Sequence, residues 1–196
     1  MTVNNDYSKQ IEPVEKLPDG TVFYSYDYSK EVYKNIVKKK FILSDIVLML
    51  LYSQFKEPIC GRVSLMKQLF LLIEEVLNKE DVQNANFIAY RFGMYSFSLA
   101  NVIENLDYLG LIEIDGKKNT KLEKFYITEK GMAHISKKYG ELDPELQVII
   151  RYKRKGWDQL GYKGILRLVY QKYPKYKEKS EIKEKYKAIK WGRGIG

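Results

Sequence analysis

The stretch FGMYSFSLANVIENLDYLGLIEIDGKKNTKLEKFYITEKG, residues 92–131, constrains this chain more than any other segment. Leu99, Val102, Ile103, Leu106 and Leu109 recur at helical spacing, so a helix from about Ser98 to Leu109 turns one apolar face to a core. Gly110 follows and supplies a left-handed C-cap. LIEID and KFYIT then read as strands joined by the loop GKKNTKLE, and Thr128 caps another helix. That order is the outline of a winged helix. Yet the helix that should read DNA carries no Lys or Arg between Ser98 and Tyr108, and it holds Glu104 and Asp107.

Upstream, Ser44 is read as the cap of a nearly all-apolar helix through about Gln54, and Ser64 as the cap of a second. In the second, Leu65, Leu69, Ile73 and Val76 keep helical spacing, with Lys67, Glu74 and Glu75 expected to face water. FIAYR adds a strand before the third helix. Residues 1–28 read as an extension, with VFYSYDY alternating like a short strand, and a helix runs from Ser29 to about Lys39. Beyond the core, Asp143-Pro144 opens a helix through about Lys153. WDQLGYKGILRLVYQKYP reads as a helix broken or weakened near Gly161 and Gly164, with Tyr170 on an apolar face, and Ser180 caps a last helix. The expectation is a mainly α protein, an α+β winged helix with a small β-hairpin wing. Its divisions are an N-terminal arm and helix at 1–40, a winged-helix core at 41–140 and a basic helical extension at 141–196.

Catalytic and metal chemistry find little to work with. The chain has 196 residues, one cysteine (Cys60) and one histidine (His134), too few for a disulfide framework or a Cys/His zinc site. No spacing singles out a carboxylate pair for acid–base work. The reading is a non-enzyme without cofactor or metal. The polar N-terminus is not a secretory signal, and the run FILSDIVLMLLY is too short to span a bilayer and is broken by Ser44 and Asp45. A cytoplasmic protein with no membrane partner is expected, and its wealth of Lys, Glu, Ile and Tyr suits a thermophile.

The formal charge of +9 is unevenly placed. Residues 151–196 hold 15 Lys/Arg and 4 Asp/Glu, net +11, whereas residues 1–150 hold 19 and 21, net −2. A basic tail on a near-neutral core points to a polyanionic partner.

The blocks GRVSLMKQLFLL, RFGMYSFSLANVIENLDYLGLIE and YITEKG, with the closing LRLVYQKYPKYKEKSEI, resemble the YwgA-type winged-helix proteins of bacteria and archaea. More distantly, the chain is similar to the Panacea domain found in antitoxins. The resemblance covers roughly residues 44–190 and implies a winged-helix fold with a regulatory or nucleic-acid-associated role. Met94 stands where that family usually has Pro, in an aromatic-G-P-Y-S turn.

Candidate contacts follow from charge and side-chain type. The wing offers Lys117, Lys118, Lys121 and Lys124 to phosphates. The third helix offers Asn101 and Asn105 to adenine, although Glu104 and Asp107 would repel phosphate. Along the tail, Arg151, Lys153, Arg154 and Lys155, then Lys172, Lys175, Lys177 and Lys179, interleave with Tyr and Trp, a pattern suited to phosphate and unpaired bases. DNA is the expected partner. RNA binding by the tail, a protein partner docked on the acidic third helix (as in an adaptor or antitoxin) and homodimerisation stay open.

Overall fold

The computed structural model describes residues 40–91 and 93–176, together with the strand pair Glu15–Lys16 (β1) and Val22–Phe23 (β2). The chain divides into two compact units, Met1–Lys40 and Phe41–Gly196. In the first, β1 and β2 pair antiparallel, using the start of the alternating VFYSYDY segment. The expected helices from Ser29 and from Ser180, and with them Lys177 and Lys179, lie outside the described residues.

The second unit is α+β and mainly helical. Helix α1 (Leu43–Tyr52) packs against every other described helix and is the centre of the core. Its side chains Ile46, Val47, Leu48, Met49, Leu50 and Leu51 are all shut off from water. At about 1.5–3 kcal/mol for each large side chain buried, packing rather than capping holds this helix. The cap is correspondingly modest and is not Ser44. Ile42 occupies the N-cap position, and its backbone N–H donates to Asp45 Oδ2 at 3.2 Å. Nor does Ser64 cap α2 (Arg62–Glu75), which starts one turn earlier at Gly61.

Between α2 and the third helix lie a 3₁₀ turn (Lys79–Asp81) and a tight hairpin. The hairpin strands are β4 (Ile88–Tyr90) and β5 (Gly93–Tyr95), in register Ile88 with Tyr95 and Tyr90 with Gly93. Helix α3 (Phe97–Tyr108) is capped by Ser96, whose Oγ accepts from Leu99 N–H at 3.0 Å. Leu99, Ile103 and Leu106 are buried as their spacing requires. Val102 is only half-buried and Leu109 is 52% exposed, so the apolar face is narrower than the sequence implied.

After Gly110 (φ 67°) come β6 (Ile112–Asp115) and β7 (Lys124–Ile127), antiparallel, with β3 (Ile59–Cys60) added on the far side of β7. Thr128 caps α4 (Glu129–Gly140) and binds the end of α3 as well: its hydroxyl donates to Gly110 O at 2.8 Å and accepts from Gly131 N–H at 3.0 Å. The last helix, α5, runs from Pro144 to Lys172 under an Asp143 cap and lies along α2, burying Ile150, Trp157, Ile165, Leu166, Val169 and Tyr170. It is much longer than the stop at Lys153 implied. The expected interruption falls at Gly161, where φ 60° and ψ −176° break the helix in a conformation that L side chains rarely adopt.

Gly131, in the TEKG segment, is required for a different reason. A Cβ there would lie 1.9 Å from the Leu111 carbonyl oxygen, a backbone atom that cannot step aside. Gly140 in the same helix would meet nothing within 4 Å. Thermal or urea unfolding of Gly131→Ala should therefore show a loss of roughly 3 kcal/mol despite better helix propensity. Gly140→Ala should be neutral or stabilising by up to about 1 kcal/mol.

Candidate nucleic-acid interface

The acidic face of α3 has an internal use. Arg62, the first residue of α2, donates through Nη2 to Glu123 Oε1 at 2.6 Å and through Nη1 to Glu104 Oε1 of α3 at 2.7 Å. Lys118, from the loop between β6 and β7, reaches the other Glu104 oxygen at 2.8 Å. Glu123 is fully buried and also accepts the Asn119 backbone N–H at 3.0 Å. Two cations and two carboxylates thus tie the wing to both helices. Burial alone would depress the Arg62 guanidinium, but Glu123 and Glu104 together hold it above its ordinary value. The hydrogen bond from Lys118, helped by Arg62, holds the Glu104 carboxyl below its usual range. Asp107 accepts the Ile114 N–H at 3.1 Å. Both carboxylates that seemed to repel DNA are anchors for the wing.

The sequence-derived contacts separate once placed. Arg154 is the clearest correction: it is fully buried, ion-paired with Asp158, and donates to the Glu57 carbonyl, out of reach of any phosphate. Lys118 is occupied by Glu104, and Lys172 pairs with Glu75 at 3.0 Å. Lys124 and Lys153 are half-buried, and Lys175 lies over the Tyr176 ring. Asn101 and Asn105 are exposed one turn apart on α3. Lys117, Lys121, Arg151 and Lys155 are exposed and form no ion pair among the described residues.

Three of these cations line three cavities that share residues pairwise. The first, about 500 Å³, is lined by residues that include Arg62, Lys67, Tyr90, Arg91, Tyr95 and Lys121. The second, about 570 Å³, shares Lys121 and Tyr162 with it and adds Lys155, Trp157 and Asp158. The third, about 460 Å³, shares Gln54 and Glu57 with the second and adds Lys56 and Arg151. Lys121 of the wing stands 5.0 Å over the Tyr162 ring, which follows the Gly161 break in α5. Arg151 and Lys155 lie one helical turn apart, so the two cations follow the same edge of α5. No α3 residue lines any of the three cavities.

Sequence reasoning missed Arg62, Arg91, Tyr162 and, most of all, Lys67. Lys67 was expected in water, yet it is 1% exposed, and its Nζ donates to the Met94 carbonyl at 2.8 Å. Burial pushes its amine down to about 7, and no carboxylate among the described residues forms an ion pair with it. A signal was there. Leu69 to Ile73 is apolar at five consecutive positions, which leaves α2 no single water-facing stripe for a lysine to use. Gln68, equally buried, donates to Asp158 at 2.8 Å and so links α2 to the Arg154 pair on α5. Comparison with protein-family models, curated proteins and solved structures finds no match for the chain.

Lys67 gives the fold a pH signature. Unfolded, the amine titrates near 10.5; folded, near 7. Between those values the unfolded chain binds the extra proton, so this residue makes stability rise with pH from about 7 to about 10.5. Lys67→Met should flatten that rise in urea-unfolding curves measured across the range. At neutral pH it should stabilise the protein by up to roughly 5 kcal/mol, less what the Met94 carbonyl loses with its donor.

Proposed function

We propose that the protein is a winged-helix nucleic-acid-binding protein that holds the phosphate backbone of DNA between its wing and α5, as a regulator or a mobile-element or defence factor. The observation that carries this reading is that cations from two distant parts of the chain, Lys121 and the Arg151–Lys155 edge, border neighbouring cavities that share lining residues. Phosphate attraction is additive and insensitive to sequence, so a row of amines along a groove suits a polyanion. The helix order α2, α3, β6, β7, α4 fits a winged helix. The hairpin β4–β5 inserted between α2 and α3 departs from the short turn of an ordinary helix-turn-helix and argues against α3 as the reading helix. Binding is therefore by backbone contact, with little base discrimination.

The rival, an adaptor that docks a partner on an acidic α3, has less support. Glu104 and Asp107 are already engaged with Arg62, Lys118 and the Ile114 N–H. The tyrosines along the groove favour a contribution from unpaired bases, so single-stranded RNA and DNA belong beside the duplex in any assay.

Fluorescence anisotropy with a labelled duplex, followed over a salt series, tests the reading. Lys121→Ala, Arg151→Ala and Lys155→Ala should each weaken binding to all sequences alike and reduce the log–log salt slope by roughly 1. Lys172→Ala, whose amine pairs with Glu75, should leave the slope unchanged. No complex at low salt with duplex, single strand or RNA would remove the proposal.

A further inference from the structure

The first cavity holds a feature that backbone gripping does not use. An ammonium taken out of water costs several kcal/mol unless a counter-charge meets it. Among the described residues Lys67 has the Met94 carbonyl as its hydrogen-bond partner and no carboxylate. Among the described residues no carboxylate lines the cavity, and the Arg62 guanidinium is already matched by Glu104 and Glu123. The side of the cavity formed by Gly61, Arg62 and Val63 is the N-terminus of a fourteen-residue helix with no acidic residue in its first turn. Its partial positive charge adds to that of Lys67. At the rim Lys121 stands over Tyr162, while Tyr90 and Tyr95 pack with ring centroids 5.4 Å apart. Amine and ring faces therefore stand side by side, as the phosphate and base of one nucleotide do.

We propose that this cavity is a pocket for a phosphorylated nucleoside, its phosphate meeting Lys67 and Lys121 and its base lying against Tyr90, Tyr95 and Tyr162. The volume of about 500 Å³ is in the range of small-ligand sites. Val63, Met66 and Met94 give the apolar wall that such sites use, and Asn119 brings an amide to the rim. The ligand is either a free nucleotide or the phosphorylated end of a strand; the chemistry recognised is the same. The proposal shares Lys121 with the groove reading but is independent of Arg151 and Lys155, because Lys67 lines neither of the cavities those two border.

Calorimetric titration of the full chain with adenosine 5′-monophosphate, adenosine, inorganic phosphate, and a short oligonucleotide with or without a 5′-phosphate tests it. Adenosine 5′-monophosphate should bind at least about tenfold more tightly than adenosine or inorganic phosphate. Lys67→Met should weaken it by about tenfold or more without lowering the urea-unfolding midpoint. Tyr90→Ala, a change at an exposed rim residue, should weaken the nucleotide but leave inorganic phosphate as it was. A 5′-phosphorylated oligonucleotide that outcompetes the mononucleotide identifies the strand end as the source, and the reverse order identifies the free nucleotide. The proposal is overturned if neither phosphorylated ligand binds, if inorganic phosphate binds equally well, or if Lys67→Met leaves nucleotide affinity unchanged. Loss of duplex binding in Arg151→Ala with nucleotide binding intact separates this pocket from the groove.

Discussion

The buried pair between Arg62 and Glu123 is the constraint on which the rest of the second unit depends. A carboxylate with no exposure is tolerated only when its charge and its lone pairs are both answered. Here Arg62 answers the charge through Nε and Nη2, and the Asn119 N–H takes a further lone pair. The Glu123 backbone carbonyl accepts from Gly61 N–H at 2.6 Å, so one residue fastens the wing to the first turn of α2 by main chain and side chain together. Removing one partner of such a pair typically costs about 3–5 kcal/mol, more than any single surface interaction in the molecule.

Fixing the wing in this way sets where its cations stand. Lys118 is turned back to Glu104 and spent on the clamp, whereas Lys121 is carried to Tyr162 at the break in α5. Helix α3 acts as a buttress, with Glu104 and Asp107 supporting the loop and first strand beside it. The nucleic-acid reading and the nucleotide pocket both draw on the clamp, the first for a preformed groove and the second for the wall that Arg62 and the wing share.

The elements that the sequence made legible were those governed by local rules. Thr128 and Asp143 cap where short polar side chains precede an apolar period, Gly110 turns left-handed, and Gly161 breaks α5, whereas α3 starts at a Ser96 cap two residues before the expected Ser98. Ser44 and Ser64 misled because tertiary burial, not capping, decides where an almost wholly apolar helix starts. The site was less legible, since it is made by contacts between residues far apart in sequence. Arg62 and Glu123 are 61 positions apart, and Lys121 meets Tyr162 across 41. Charge counting saw Arg151, Lys153, Arg154 and Lys155 as one cluster, but a helix turns successive residues to different sides, and Arg154 fell inward beside Asp158 and Lys153 became half-buried while Arg151 and Lys155 stayed out.

The most direct measurement is a chemical-shift map of isotope-labelled protein titrated with a short DNA duplex. If the groove is the interface, perturbed amides should trace Lys121, Tyr162, Lys155 and Arg151 in one connected band, with Asn101 and Asn105 on α3 unmoved. Perturbations centred on the exposed face of α3, or spread without order over the surface, would contradict it.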